Sequence, residues 1–251
     1  MTAVLEVRGL CRAYGGVRAV DGVSFTVPAG GALGIVGASG SGKTTTARII
    51  TGLERPDAGE VLVRGHAREP APKGRAARLR RAREVQLVFQ DPLLSLDPRL
   101  PAGRVLRETL RLHFPDRDHP ARIAELLDQV GLGEREAAAR PRELSGGQRQ
   151  RVAIARALAV EPAVLVLDEA VAALDVSVQA QILNLLAEIR ARTGVAYLFI
   201  THDLGVVRAV TDELVVMESG RIVEQGPTAS VLAAPEHAYT RLLLDAVPRG
   251  R

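Results

Sequence analysis

The sequence predicts an α/β fold, with a parallel sheet covered by helices. Three observations carry that expectation. Short apolar runs recur at 32–36, 164–167, 196–200 and 214–217, with helical segments between the second and third, an alternation that builds parallel sheets. The first of these runs leads into Gly37-Ala38-Ser39-Gly40-Ser41-Gly42-Lys43-Thr44, which fits G-x-x-x-x-G-K-[ST] in the strand–loop–helix setting that the phosphate-binding motif needs. Ahead of it lie two alternating segments of the kind found in half-exposed antiparallel strands.

Taken in chain order, Leu5, Val7 and Leu10 are apolar while Glu6 and Arg8 are polar, and Val23 to Val27 repeats the alternation. Pro28-Ala29-Gly30-Gly31 is a turn. Ala32 to Val36 reads as a buried strand and Thr44 to Ile50 as the start of a helix; Glu60 to Val63 and Val85 to Phe89 are further strands. From Asp91 to Glu143 prolines punctuate the chain at Pro92, Pro98, Pro101, Pro115, Pro120 and Pro141. Helical pieces such as Ala121 to Val130 lie between them, so this stretch reads as a helical insertion. Leu144 to Gln148 then opens a helix over Arg149 to Ala159.

Composition narrows the class. A chain of 251 residues with 47% hydrophobic residues can bury a sizeable core, and with 3% aromatics and no Trp that core is aliphatic. The net charge of +4 is compatible with a phosphate ligand or an anionic surface and requires neither. The densest basic run is Arg75, Arg78, Arg80, Arg81 and Arg83; no aromatic residues interleave it for base stacking, so it reads as a solvated face. Cys11 is the only cysteine, which excludes an internal disulfide or a cysteine-rich metal cluster and suits a reducing compartment. Met1 to Arg12 has no signal pattern, and no apolar run approaches the roughly 20 residues that span a bilayer.

The glycines of 37–44 let backbone N–H groups approach phosphate oxygens, and the helix N-terminus adds partial positive charge. Lys43 can reach the β- and γ-phosphates, and the Thr44 hydroxyl can ligate Mg²⁺. Lys43 and Lys73 are the only lysines among 33 basic residues; lysine persists where a compact point charge suits phosphate. Val164 to Leu167 ends in Asp168-Glu169, and carboxyl ends of parallel strands are where α/β folds place ligands. Asp168 can hold Mg²⁺ and Glu169 can polarise a water that attacks the γ-phosphate. Ser145 and Gln148 form an S-x-x-Q capping box. Gly146 and Gly147 cost helix propensity in that first turn and bare the positive end of the dipole, which suits a second phosphate contact.

Together these residues resemble the ATP-binding-cassette (ABC) ATPases: the P-loop, the Leu144–Gln148 signature and the Asp168-Glu169 strand follow that family's order and approximate spacing. The resemblance covers essentially all of residues 1–251. It implies a single P-loop ABC domain with a RecA-like core, an antiparallel β-subdomain, a helical signature subdomain at about 91–155 and a short tail at about 227–251. It also implies roles. Tyr14 resembles the aromatic that stacks on adenine, and the phosphate-binding residues run from Gly37 through Thr44 to Thr45. Gln90 resembles the Q-loop glutamine that contacts Mg²⁺ with Thr44 and Asp168. Ala173-Leu174-Asp175 resembles the D-loop, and His202 the switch histidine on the γ-phosphate. In such proteins two domains pair head-to-tail, so that Ser145, Gly146, Gly147 and Gln148 serve the opposite subunit's ATP.

Three segments resemble the dipeptide/oligopeptide/nickel importer branch: Phe89 to Arg99, Asp175 to Leu186, and the tail Pro235 to Leu243 with Ala246-Val247-Pro248. Ala173 stands where the branch commonly has serine, Ala238 where it has proline, and Leu100 to Val105 departs from its wording. The compact form resembles the shorter ATPase of a heterodimeric pair. The resemblance implies an importer ATPase on the cytoplasmic face of a membrane. Its partners would be a second ATP-binding subunit, two transmembrane permease subunits and, indirectly, an extracytoplasmic solute-binding protein, with no nucleic acid. An export or lipoprotein-extraction ATPase and a soluble non-transport ABC ATPase remain the alternatives.

Overall fold

The structure, a computed structural model, describes residues 2–68 and 72–246. Its elements, in chain order, are β1 (Ala3–Tyr14), β2 (Val17–Pro28), β3 (Ala32–Val36), α1 (Lys43–Thr51), β4 (Ala58–Val63), β5 (His66–Ala67), α2 (Arg75–Glu84) and β6 (Val85–Val88). Then follow α3 (Ala102–His113), α4 (His119–Gln129), α5 (Glu134–Ala138), α6 (Gly146–Leu158), β7 (Val164–Asp168), α7 (Val176–Thr193) and β8 (Ala196–Ile200). The chain closes with α8 (Leu204–Val210), β9 (Glu213–Glu218), β10 (Arg221–Pro227), α9 (Thr228–Ala233) and α10 (Ala238–Asp245).

Two sheets organise these elements. The larger runs β10-β9-β3-β8-β7-β6. Its pairings are parallel from β9 to β6, and β10 joins the edge antiparallel to β9. The smaller runs β2-β1-β4-β5 and is antiparallel. β3 and β8 are buried along their whole length, as expected of strands covered on both faces. Alternate residues of β7 divide between two apolar clusters. Leu165 and Leu167 face Leu106, Leu126 and Ile182 of the helices. Val164 and Val166 face Ile49 and Ile50 of α1 and Leu5 and Val23 of the antiparallel sheet. The parallel strands are thus the common wall of both halves of the core.

Every strand expected from the sequence is present, at greater length for β1 and β2, and α6 begins at Gly146 rather than Arg149. The basic run does not simply face solvent. Residues 75–84 form α2, and while Arg75, Arg78 and Arg80 are exposed, Arg81 and Arg83 turn inward. Arg83 lies over the Phe114 ring at 4.3 Å and donates to the His113 carbonyl. Burial lowers the pKa of Arg81, opposed by Glu84. A guanidinium with an apolar stem can cover core while keeping partners, which the spacing of arginines in a sequence does not reveal. The Val247-Pro248 portion of the tail resemblance lies outside the described residues.

The first turn of α6 rests on α7. A Cβ on Gly147 would stand 2.5 Å from Val178 Cγ1, so the glycine there answers a packing need as well as baring backbone. Gly147→Ala should destabilise the chain by about 1–3 kcal/mol by overpacking, and Val178→Ala in the same chain should recover much of that loss. A denaturant-melt double-mutant cycle checks this; additive losses would show that the two residues do not compete for space.

Candidate functional site

The carboxyl ends of β3, β7 and β8 deliver the charged residues to one place. β3 ends at Val36, and the loop 37–42 turns back over it into α1. Two close approaches demand glycine in that loop. A Cβ on Gly37 would collide with the Met217 carbonyl oxygen, and one on Gly42 with that of Ala19. Gly42 also sits at φ +99°, in the left-handed region that side chains disfavour. Gly42 occupies the N-cap position of α1, which has no side-chain cap. The leading N–H groups of that helix are thereby left for an anion.

Lys43 is 6% exposed. Its Nζ donates to the Gly37 and Ala38 carbonyls at 2.8 Å each and to Ser41 Oγ at 3.4 Å. Burial lowers the Lys43 pKa, and the charges of Glu169 and Asp168 oppose that. β7 ends at Asp168, whose Oδ1 is buried without a hydrogen-bond partner. Burial, then the neighbouring Glu169 charge, pushes the Asp168 carboxyl up to about 6, against the pull of Lys43 and Arg48. Glu169 has left-handed backbone, φ +48°, and its N–H donates to the Ile200 carbonyl at 2.8 Å. A non-glycine residue held there is strained and needs surrounding structure to keep it. Beyond β8, His202 Nδ1 lies 3.0 Å from Glu169 Oε1.

Tyr14, Ala19, Ser39, Gly40, Gly42, Lys43, Thr44, Thr45, Glu169 and His202 line a single open cleft of about 700 Å³. Tyr14 stands at its rim, 44% exposed, with Arg12 4.9 Å from its ring centroid and its hydroxyl donating to Glu54. Gln90 is exposed just beyond β6. The parallel pairing of Val88 with Leu167 brings it alongside the Asp168-Glu169 end. The 89–90 stretch is tied to α6 by Gln150 Nε2, which donates to the Phe89 carbonyl at 3.5 Å.

Ser145, Gly146, Gly147, Gln148 and Asp175 do not line this cleft. Ser145 and Gln148 form the reciprocal cap at 2.9 and 3.2 Å, and Ser145 is exposed. Asp175 caps α7, accepting from Val178 N–H at 2.9 Å and Ser177 Oγ at 2.8 Å, and those bonds hold its carboxyl below the usual range. The sequence gives no warning of Ala19 in the cleft wall, since an alanine carries no signal.

The donors fit a hard divalent cation. The orphaned buried oxygen of Asp168 and the Thr44 hydroxyl on the uncapped first turn of α1 are both oxygen ligands, although Asp168 and Gln90 are not among the residues that line the cleft. Mg²⁺ commonly takes one or two carboxylates and completes its shell with substrate phosphates and water.

The comparisons with known proteins bear on the family and the fold. A family model described as ABC transporter matches residues 20–172. The oligopeptide transport ATP-binding protein OppD of Mycobacterium tuberculosis is 50% identical over 241 residues, 96% of this chain and 39% of that protein. The chain therefore spans about two fifths of that relative's length. The structure of cbiO1 from Clostridium perfringens, part of the ABC transporter complex cbiONQ, superposes with a TM-score of 0.84 at 29% identity, covering 99% of this chain and 97% of the other. The dimeric post-hydrolysis state of the ATP-binding cassette MJ0796, bound to ADP and Pi, gives a TM-score of 0.78 at 28% identity, covering 89% and 98%.

The raised Asp168 pKa carries a stability consequence. Its carboxyl binds a proton more tightly folded than unfolded, so its charged form destabilises the fold, by a cost that is absent below the unfolded value, grows as pH rises and is complete above about pH 6. Asp168→Asn should raise the melting temperature of the nucleotide-free chain at pH 8, by up to about 3 kcal/mol in stability, and leave it nearly unchanged at pH 4. Equal shifts at both pH values would remove the buried charge as the cause.

Proposed function

The chain belongs to the ABC transporter family, and we propose that it is the ATP-hydrolysing subunit of an importer for peptides or a related small solute. The observation that supports this most is the convergence of Lys43, Thr44, Glu169 and His202 on one cleft. ATP would lie there with its phosphates against the loop of residues 37–45, the first turn of α1 and the Lys43 ammonium, and its adenine against Tyr14. Thr44, Asp168 and Gln90 would hold Mg²⁺, which supplies charge neutralisation to the β- and γ-phosphate oxygens when bound.

Glu169 is the general base in this reading. Its carboxylate takes a proton from the attacking water, and His202, 3.0 Å away, orients that carboxylate and faces the γ-phosphate. The left-handed backbone at Glu169 fixes the side chain at the end of β7, the pre-positioning that general-base catalysis requires.

The second half of the site comes from another subunit. Ser145 is exposed and Val176, next to Asp175, is 85% exposed, so the signature helix and D-loop offer an open face. An ATP held between one P-loop and the partner's signature would close the pair, and hydrolysis would reopen it. Transport follows from coupling that closure to two permease subunits at the cytoplasmic face of a membrane. A solute-binding protein would deliver the solute outside. None of the helices among the described residues is long and apolar enough to cross a membrane, and the high similarity to an oligopeptide transport protein supports peptides as the solute class.

Glu169→Gln should still bind ATP yet hydrolyse it at least about 10²-fold more slowly, measured by phosphate release; near-normal turnover would remove Glu169 from the base role. Lys43→Ala should weaken both nucleotide binding and turnover, and unchanged binding would sink the P-loop assignment. Pull-down of tagged Glu169→Gln chain from detergent-solubilised membranes with MgATP should recover polytopic permease subunits. Recovery of ribosomes or nucleic acid alone would overturn the transport reading.

A further inference from the structure

The last two strands and the last helix of the described chain are fastened to the phosphate loop. At the turn between β9 and β10, Gly220 N–H donates to the Ser41 carbonyl at 3.0 Å. On α10, the Tyr239 hydroxyl accepts the Ala38 N–H at 2.8 Å, a bond that spans 201 positions of sequence.

That second bond falls on a particular peptide unit. The Ala38 N–H and the Gly37 carbonyl belong to the same plane, and the Gly37 carbonyl accepts from Lys43 Nζ at 2.8 Å. The plane is therefore gripped at both ends, by Lys43 at its oxygen and by Tyr239 at its nitrogen. A peptide that follows glycine meets little steric resistance to rotation on the glycine side. The two hydrogen bonds are what set its direction.

Tyr239 is itself held firmly. Its ring packs against a small apolar cluster of Val36, Val207 and Val231, beside Leu243. The turn that leads into α10 is closed by Glu224, whose carboxylate accepts the N–H groups of Glu236 and His237 at 2.9 and 3.0 Å. His237 Nδ1 caps the helix by accepting the Tyr239 N–H at 3.2 Å.

We propose that Tyr239 is a positioning residue of the nucleotide site: through its hydroxyl, the C-terminal helix sets the Gly37–Ala38 peptide and so the place from which Lys43 meets the phosphates. The inference rests on the ATP reading of the cleft. Its effect belongs to nucleotide affinity, because Tyr239 is bonded to the loop that cradles phosphate and not to Glu169 or His202.

The test uses the full chain and three measurements: titration with a fluorescent ATP analogue plus Mg²⁺, steady-state KM and kcat for ATP, and the melting temperature without nucleotide. Tyr239→Phe keeps the packed ring and removes only the hydroxyl. It should weaken ATP about 2- to 10-fold, the worth of one hydrogen bond, with the change in KM rather than kcat and little change in melting temperature. Leu243→Ala loosens the same helix and keeps the hydroxyl. It should lower the melting temperature more and ATP affinity less. Wild-type affinity in Tyr239→Phe would overturn the proposal, as would affinity that simply tracks melting temperature across the two variants. If the unaltered chain binds no ATP analogue, the parent reading of the cleft fails, and this inference with it.

Discussion

The structure around the phosphate loop is organised by one constraint, the burial of the Lys43 ammonium. A cation removed from water at 6% exposure must be compensated. Two loop carbonyls accept its protons directly, and two carboxylates at the end of β7 supply the opposing charge. The carbonyls are available only because the loop curls back over β3. That curl is possible only with glycine at positions 37 and 42, where any Cβ would meet the carbonyls of Met217 or Ala19. The carboxylates are in place only because β7 lies two strands from β3, across β8.

The compensation is incomplete, and the incompleteness has a direction. Asp168 pulls on Lys43, yet its own pKa rises to about 6 because burial and Glu169 outweigh the lysine. One of its oxygens has no partner. The helix turn facing it is uncapped. Each unmet group asks for something different: the amides and ammonium for an anion, the carboxylate oxygen for a cation. On the proposed reading, a phosphate chain carrying a divalent ion would meet all of them at once, which neither component would do alone. The cleft thus presents matched groups of opposite demand, and electrostatic preorganisation of this kind carries no reorganisation cost at the moment of reaction.

Much of this was legible in the sequence. The loop and the two carboxylates could be read because each sits at the end of a short apolar run, and strand ends are easy to locate when the strand is buried on both faces; His202 is singled out only by the family resemblance. What stayed hidden depends on contacts between distant segments of chain. Arg81 and Arg83 look like surface charge until α2 is docked. Gly147 looks like a bare backbone position until Val178 is placed against it. Tyr239 stands in a recognisable tail segment, but nothing local to 235–243 points at a residue two hundred positions earlier. Tertiary hydrogen bonds to backbone N–H groups leave no pattern in one sequence, since any residue can supply the amide.

The same constraint keeps the N-terminal turn of α6 away from the cleft of its own chain. The P-loop cleft collects donors from β1, β2, β3, β7 and β8, all on one side of the parallel sheet's carboxyl end. The signature helix α6 belongs to the other apolar cluster, packed with α7 and the helices of residues 102–138. Its N-terminal turn is capped by its own Ser145 and Gln148 and faces outward. A rigid core cannot fold that turn back onto its own cleft without tearing α6 from α7, where Gly147 already meets Val178 without room for a methyl group. On the proposed reading, the positive end of α6 would meet a phosphate held by another copy or a paralogue. Dimerisation around nucleotide would then bring the second helix terminus of this architecture to the charge it suits.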